Sequence, residues 1–154
     1  EVLGAVGDID DAKRLWSAYR SAPSPQIEAR TLRALAGTSR LDLQLHVLEQ
    51  CLDAIRPQNV AAVVSTALRH PQLGGDAWNW LARNWDALLA RIPGSAVPVL
   101  LRGITTLGDP EAARHADAFL ADRPVEIGAQ TIAQYRELLR SHQTLRATLA
   151  SSTG

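Results

Sequence analysis

Four histidines and one cysteine are the side chains of this sequence best suited to metal binding or nucleophilic chemistry: His46, His70, His115, His142 and Cys51. A zinc peptidase helix places two histidines one turn apart with a glutamate after the first, as H-E-x-x-H, so that both imidazoles ligate one ion. None of the four histidines has that spacing. His115 and Asp117 are two positions apart, and on a helix such side chains diverge. We therefore predict neither a catalytic residue nor a metal ligand in this chain.

The lone cysteine and the charge balance exclude further classes of site. Cys51 lies between Leu48 and Leu52 in an apolar helical pattern, which predicts a buried and unreactive thiol. The 16 basic and 16 acidic residues give a formal net charge of zero, without the basic excess typical of nucleic-acid binding. No apolar run approaches the roughly 20 residues of a membrane span. We predict neither nucleic acid nor membrane as a partner.

The helical period of three and four residues recurs almost throughout the chain, and no segment alternates as a strand does. Ser24-Pro25 and Asp109-Pro110 each provide a capping side chain followed by a proline, which is tolerated in a first turn. Short connections make successive helices antiparallel neighbours. The predicted fold is all-α: one helical domain over residues 1–154, in which stacked antiparallel hairpins form an irregular HEAT- or armadillo-like solenoid. About eight helices are predicted, near residues 8–19, 25–36, 39–55, 57–69, 76–92, 95–107, 110–123 and 127–150.

Three of the 4 tryptophans lie within eight positions of one predicted helix. Trp78 and Trp85 share an apolar stripe with Leu81 and Leu88, which predicts that this face lies in the core. Trp80 is about 200° round the helix from Trp78 and points nearly the opposite way. Either Trp80 is buried because the helix lies between two layers, or it faces a groove or an absent partner. The first interpretation is favoured because burying an indole contributes a few kcal/mol.

Gly74 and Gly75 precede the tryptophan helix. We interpret them, with Asp76 as the cap, as the tight turn that joins two antiparallel helices. An anion site at the amino terminus of the helix is the disfavoured alternative.

The last predicted helix is the longest, and its apolar residues form one stripe. We predict that this stripe faces the core and that its histidine is a hydrogen-bonded core or interface residue. The stripe comprises Thr131, Tyr135, Leu138, His142, Leu145 and Leu149, with Ile132 and Leu139 alongside.

The segment Arg56–Leu89, called the motif segment below, resembles the carboxy-terminal helical domain of M1 zinc aminopeptidases. The pattern in that domain runs roughly Arg-x-Gln-Asp, Asn-Pro-x-Gly, Ala-Trp-x-Phe and Asn-Trp. The branch of the family that looks closest comprises the puromycin-sensitive and endoplasmic-reticulum aminopeptidases and their bacterial relatives of the aminopeptidase N type. This chain has Asn59 for the aspartate, His70-Pro71 for Asn-Pro, and Trp80 for the phenylalanine. We predict structural roles for the matching residues, with a capping network at the first three. They are Arg56, Gln58, Asn59, Gly74, Trp78, Trp80, Asn84 and Trp85.

The resemblance implies a four-domain exopeptidase that removes amino-terminal residues from peptides and binds zinc in its second domain. In that family the zinc ligands and a Gly-x-Met-Glu-Asn motif lie upstream. Residues 1–154 are then expected to be the second half of the helical lid domain, inert alone and without a cofactor of its own. Its expected partners are the upstream domains of the same polypeptide and the peptide substrate. The alternative is a stand-alone helical-repeat scaffold that binds another protein. A cytoplasmic location is slightly favoured.

Overall fold

The computed structural model describes residues 9–153, and within that range it is helical without any strand. The all-α prediction is confirmed. Two 3₁₀ turns, Gly94–Ala96 and Arg102–Thr106, flank α7. The first predicted helix begins at residue 8, which lies outside the described residues. The α-helices of the described range are α1 (Ile9–Arg20), α2 (Pro25–Ala36), α3 (Leu41–Gln50), α4 (Pro57–Leu68), α5 (Gly74–Arg83), α6 (Trp85–Leu89), α7 (Val97–Leu101), α8 (Pro110–Asp122) and α9 (Ala129–Ser152).

Alternate helices pack side by side in two layers. One layer contains α3, α5 and α8, with α5 between the other two. The other contains α2, α4, α7 with the Arg102–Thr106 turn, and α9. The helix pairs α2·α3, α4·α5 and α8·α9 join the layers, and α1 packs on α2. This arrangement is the stack of helical hairpins that the short connections predicted.

Two helix starts have the predicted capping geometry. The Ser24 hydroxyl accepts a hydrogen bond from the Ile27 amide at 3.3 Å, and Pro25 follows it. The Asp109 carboxylate accepts one from the Glu111 amide at 3.0 Å. Each cap satisfies one of the amides that a first turn leaves without a partner. Local chemistry therefore determines where α2 and α8 begin.

The predicted tryptophan helix is interrupted at Asn84, which gives one α-helix more than predicted. Asn84 has φ −112° and ψ 19°, and its side-chain amide donates to the Trp80 carbonyl oxygen at 2.9 Å. Asparagine competes in this way with the helical backbone and favours helix ends. α5 therefore ends at Arg83, and α6 begins at Trp85.

Gly74 and Gly75 form the first turn of α5 instead of the loop before it, so the predicted double-glycine turn is wrong. Both residues are buried. A Cβ on Gly74 would overlap the carbonyl oxygen of Leu68, and one on Gly75 would lie 3.0 Å from Oδ2 of Asp109. The glycines are needed because the start of α5 packs directly against α4 and α8.

Only one side of the predicted stripe of α9 meets the core, and Tyr135 is the stripe residue that packs against it there. The buried residues of α9 are Ile132 and Leu139, whereas Leu138, Leu145 and Leu149 are 48%, 57% and 56% exposed. Spacing alone could not distinguish the two faces, because both carry apolar residues at helical intervals.

Polar side chains attach the second half of α9 to the end of the Arg102–Thr106 turn. His142 Nδ1 lies 2.5 Å from the Thr105 carbonyl oxygen. The Gln143 amide and the Arg146 guanidinium donate to the Leu107 carbonyl oxygen at 2.8 and 2.5 Å. These bonds satisfy carbonyls that a continuing helix would have used. The predicted single helix over residues 95–107 is therefore replaced by α7 between two 3₁₀ turns, and His142 is hydrogen-bonded as expected.

Candidate functional site

The first part of the motif segment connects α4 to α2. Asn59 donates to Oε1 of Glu28 at 2.7 Å, and Arg56 Nε lies 3.6 Å from the same oxygen. Partial burial and the nearby Glu28 carboxylate raise the pKa of the Tyr19 phenol, which belongs to the same cluster. Arg56 is the N-cap residue of α4, but its side chain makes no cap bond. The predicted capping network is therefore replaced by a bridge between helices, and Gln58 is exposed beside it.

Trp78 faces α8 and is fully buried. Its indole N–H donates to Nδ1 of His115 at 2.8 Å, which requires the neutral tautomer protonated on Nε2. The ring meets Phe119 edge-on, with centroids 5.5 Å apart, and Trp85 makes a second edge-on contact with Phe119 at 5.3 Å. Aromatic pairs prefer such T-shaped contacts. The predicted stripe of Trp78 and Trp85 is thus the contact between α5–α6 and α8.

Trp80 faces α3 and is 2% exposed. Its indole N–H donates to Oε1 of Glu49 at 2.7 Å. The prediction that Trp80 is buried is confirmed. The prediction placed the helix between two layers, whereas α5 lies between α3 and α8 within one layer. Two indoles on opposite sides of α5 therefore contact two different helices.

An open cavity of about 330 Å³ lies beside α6, and we call it the Trp85 groove. Its charged lining residues are Arg123 and Glu126, and both are exposed to solvent. A second cavity of about 290 Å³ shares Trp85 and Arg123 with it and is lined also by Arg83 and Asp86. The apolar side chains that line the groove are Trp85, Leu89, Ile92, Val97, Val125 and Ile127.

The histidines predicted to lack a catalytic arrangement have partners within the fold. In residues 9–153 no three His, Cys, Asp or Glu side chains lie together as metal ligands would. None of the helices in that range is both long and apolar enough to cross a membrane. The partners are the Trp16 ring for His46, the Gln72 and Leu73 amides for His70, the Trp78 indole for His115 and the Thr105 carbonyl for His142.

A family model agrees with the resemblance seen in the motif segment. The model of the ERAP1-like C-terminal domain matches residues 1–141, which is most of the chain. The chain belongs to this family. No curated protein matches it. The ERAP1-like C-terminal domain is the C-terminal helical domain of M1 aminopeptidases.

Three contacts of this ERAP1-like domain could not be found from sequence. Glu28 and Glu49 lie 31 positions from Asn59 and Trp80, the residues that they bind. Arg91 Nη1 donates to the carbonyl oxygens of Cys51 and Ile55, at 2.6 and 3.0 Å, beyond the end of α3. No local pattern marks such side chains, because each resembles an ordinary charged residue on a helix surface.

The buried thiol leads to a prediction about reactivity. Burial raises the pKa of Cys51 to about 12, and the Arg91 charge opposes this only in part. Because the thiolate is the nucleophile, folded protein at pH 8 should not react with a disulfide reagent such as Ellman's. Unfolding in guanidinium should release one thiol per chain. Rapid stoichiometric labelling of the folded protein would contradict this.

Since the Cys51 thiol of the unfolded chain titrates near its ordinary pKa of 9.0, the stability of the fold should fall as pH rises from about 9 towards 12.

Proposed function

We propose that this ERAP1-like domain is the non-catalytic lid of a zinc aminopeptidase. It caps the active site of the parent enzyme and limits the access of peptides, whose amino-terminal residues the parent removes. The family match over residues 1–141 is the observation that carries this proposal. The parent's cofactor is zinc, which activates water for hydrolysis in such enzymes. The described residues offer no ligand set for zinc, so no chemical step is assigned to them.

The contacts of the motif segment support a structural role within the lid. Arg56 and Asn59 bind α2 through Glu28. Trp78 and Trp80 bind α8 and α3. A segment hydrogen-bonded to three neighbouring helices is held in one position, and a barrier to peptide entry needs such rigidity. The upstream domains of the same polypeptide and the peptide substrate are the partners we propose.

The first experiment measures hydrolysis by the purified chain. With zinc added, we expect no turnover of aminoacyl-coumarin substrates above the rate without protein. The parent protein, assayed in parallel, is the positive control. Zinc-dependent turnover that co-purifies with the isolated chain would contradict the assignment of a non-catalytic role.

The second experiment tests the lid itself in the parent protein. Trp78→Ala loosens the packing of α5 on α8 without touching the zinc domain, so long peptides should gain access relative to a single-residue reporter. We expect the ratio of ten-residue peptide turnover to aminoacyl-coumarin turnover to change by severalfold. Gln58→Ala, at an exposed position, should leave it unchanged. An unchanged ratio with Trp78→Ala would contradict the lid role. A parent without an upstream H-E-x-x-H would favour the scaffold alternative.

A further inference from the structure

The Trp85 groove is lined mainly by apolar side chains, and its charged lining residues are exposed to solvent. Trp85, Ile92 and Val97 are 7%, 7% and 3% exposed and form its floor. Ile127, on the connection between α8 and α9, is 54% exposed and forms one wall. A bulky aliphatic side chain placed here would remove apolar surface from water on both partners.

The adjoining cavity carries an excess of positive charge. Arg83 and Arg123 line it, with Asp86 as the carboxylate on the same lining. Neither arginine forms a salt bridge within the described part of the chain. The Arg123 guanidinium lies 3.8 Å above the centre of the Phe119 ring, which orients it beside the groove. A carboxylate at this position would meet an oriented and unpaired guanidinium.

We propose that the Trp85 groove binds a polypeptide segment that presents a bulky aliphatic side chain beside an acidic one. The aliphatic side chain fills the groove, and the acidic side chain reaches Arg123 and Arg83 in the adjoining cavity. Glu126 lines the groove itself, so the acidic residue is directed to the arginine side. The two cavities meet at Trp85 and Arg123, so one short segment spans both. This inference is independent of the lid function proposed above.

The test uses the intact chain and a doubly capped peptide, acetyl-Gly-Leu-Ser-Asp-Gly-amide. In an extended chain, side chains two residues apart lie on one face about 7 Å apart. The caps remove both terminal charges, so the carboxylate comes from the side chain alone. Binding is followed by ¹H–¹⁵N NMR. We expect saturable shifts at the Trp85 indole and at the backbone amides of Arg123 and Ile127. The matching peptide with asparagine for aspartate should bind about fivefold more weakly.

Variants of exposed residues separate the two halves of the site. Arg123→Gln should abolish the preference for aspartate over asparagine, and Arg123→Lys should retain much of it. Ile127→Asp should weaken both peptides, whereas Leu145→Asp, on the exposed face of α9, should weaken neither. Circular dichroism verifies that each variant is folded. The proposal is overturned by an absence of saturable shifts, by equal binding of the two peptides, or by self-association of the chain through the groove.

Discussion

Replacing Trp80 by alanine should lower the free energy of unfolding by about 3–5 kcal/mol, the range for a large aromatic removed from a core. The side chain is 2% exposed, and its removal leaves a cavity between α5 and α3. The hydrogen bond to Glu49 is lost as well. Denaturant unfolding followed by far-UV circular dichroism measures the change. A loss below about 1 kcal/mol would instead place Trp80 at an interface with a partner.

Trp80→Phe is the matched control, since phenylalanine is the usual residue at this position in the pattern that the motif segment resembles. It keeps an aromatic ring against α3 but has no N–H to donate to Glu49. The loss should therefore be well below that of the alanine variant, at about 1–2 kcal/mol. Glu49→Gln keeps an acceptor oxygen and should cost less still, because Glu49 is exposed to solvent.

Trp78→Ala should lower the free energy of unfolding by a similar amount, about 3–5 kcal/mol, because a different set of contacts is lost. The fully buried indole packs between α5 and α8. It contacts Phe119 edge-on and donates a hydrogen bond to His115. Without it, Phe119 loses one of its two tryptophan neighbours. Chemical denaturation again provides the measurement, and a change within about 1 kcal/mol would show that α8 does not pack on α5 as described.

A double-mutant cycle isolates the hydrogen bond within that contact. His115→Ala, Trp78→Phe and the double variant should give a coupling energy of about 0.5–1.5 kcal/mol, typical of one hydrogen bond between side chains. Strictly additive losses would mean that the indole and the imidazole do not interact in solution. His46→Ala, which removes an imidazole distant in the chain, should be additive with Trp78→Phe.

Much of the fold could be predicted because its causes are local. The helical period, the Ser24 cap and the Asp109 cap all depend on residues a few positions apart. The opposite directions of Trp78 and Trp80 follow from helix geometry alone. The motif segment likewise indicates the family, and the match over residues 1–141 agrees with it.

The errors occurred where distant parts of the chain meet. The double glycine predicts a turn, but Gly74 and Gly75 begin a helix that packs tightly on Leu68 and Asp109. The apolar stripe ending in Leu149 predicts a core face, but polar bonds orient that half of α9. Propensity and periodicity describe a helix in isolation, and they contain no information about its neighbours.

By itself, the sequence determined the all-α class, the family and the burial of Trp78 and Trp85, and it favoured the burial of Trp80. The class and the burial follow from side-chain types at intervals of three and four residues, and the family follows from the resemblance of the motif segment. Only the tertiary structure decided which helices those tryptophans contact, that Glu28 accepts a hydrogen bond from Asn59 and Glu49 one from Trp80, and that Arg123 lies beside an apolar groove. Such partners are 31 or more positions apart or belong to different helices. Whether such partners come into contact depends on how the two layers of helices stack. No single segment determines this, because it requires the other segments to be in place.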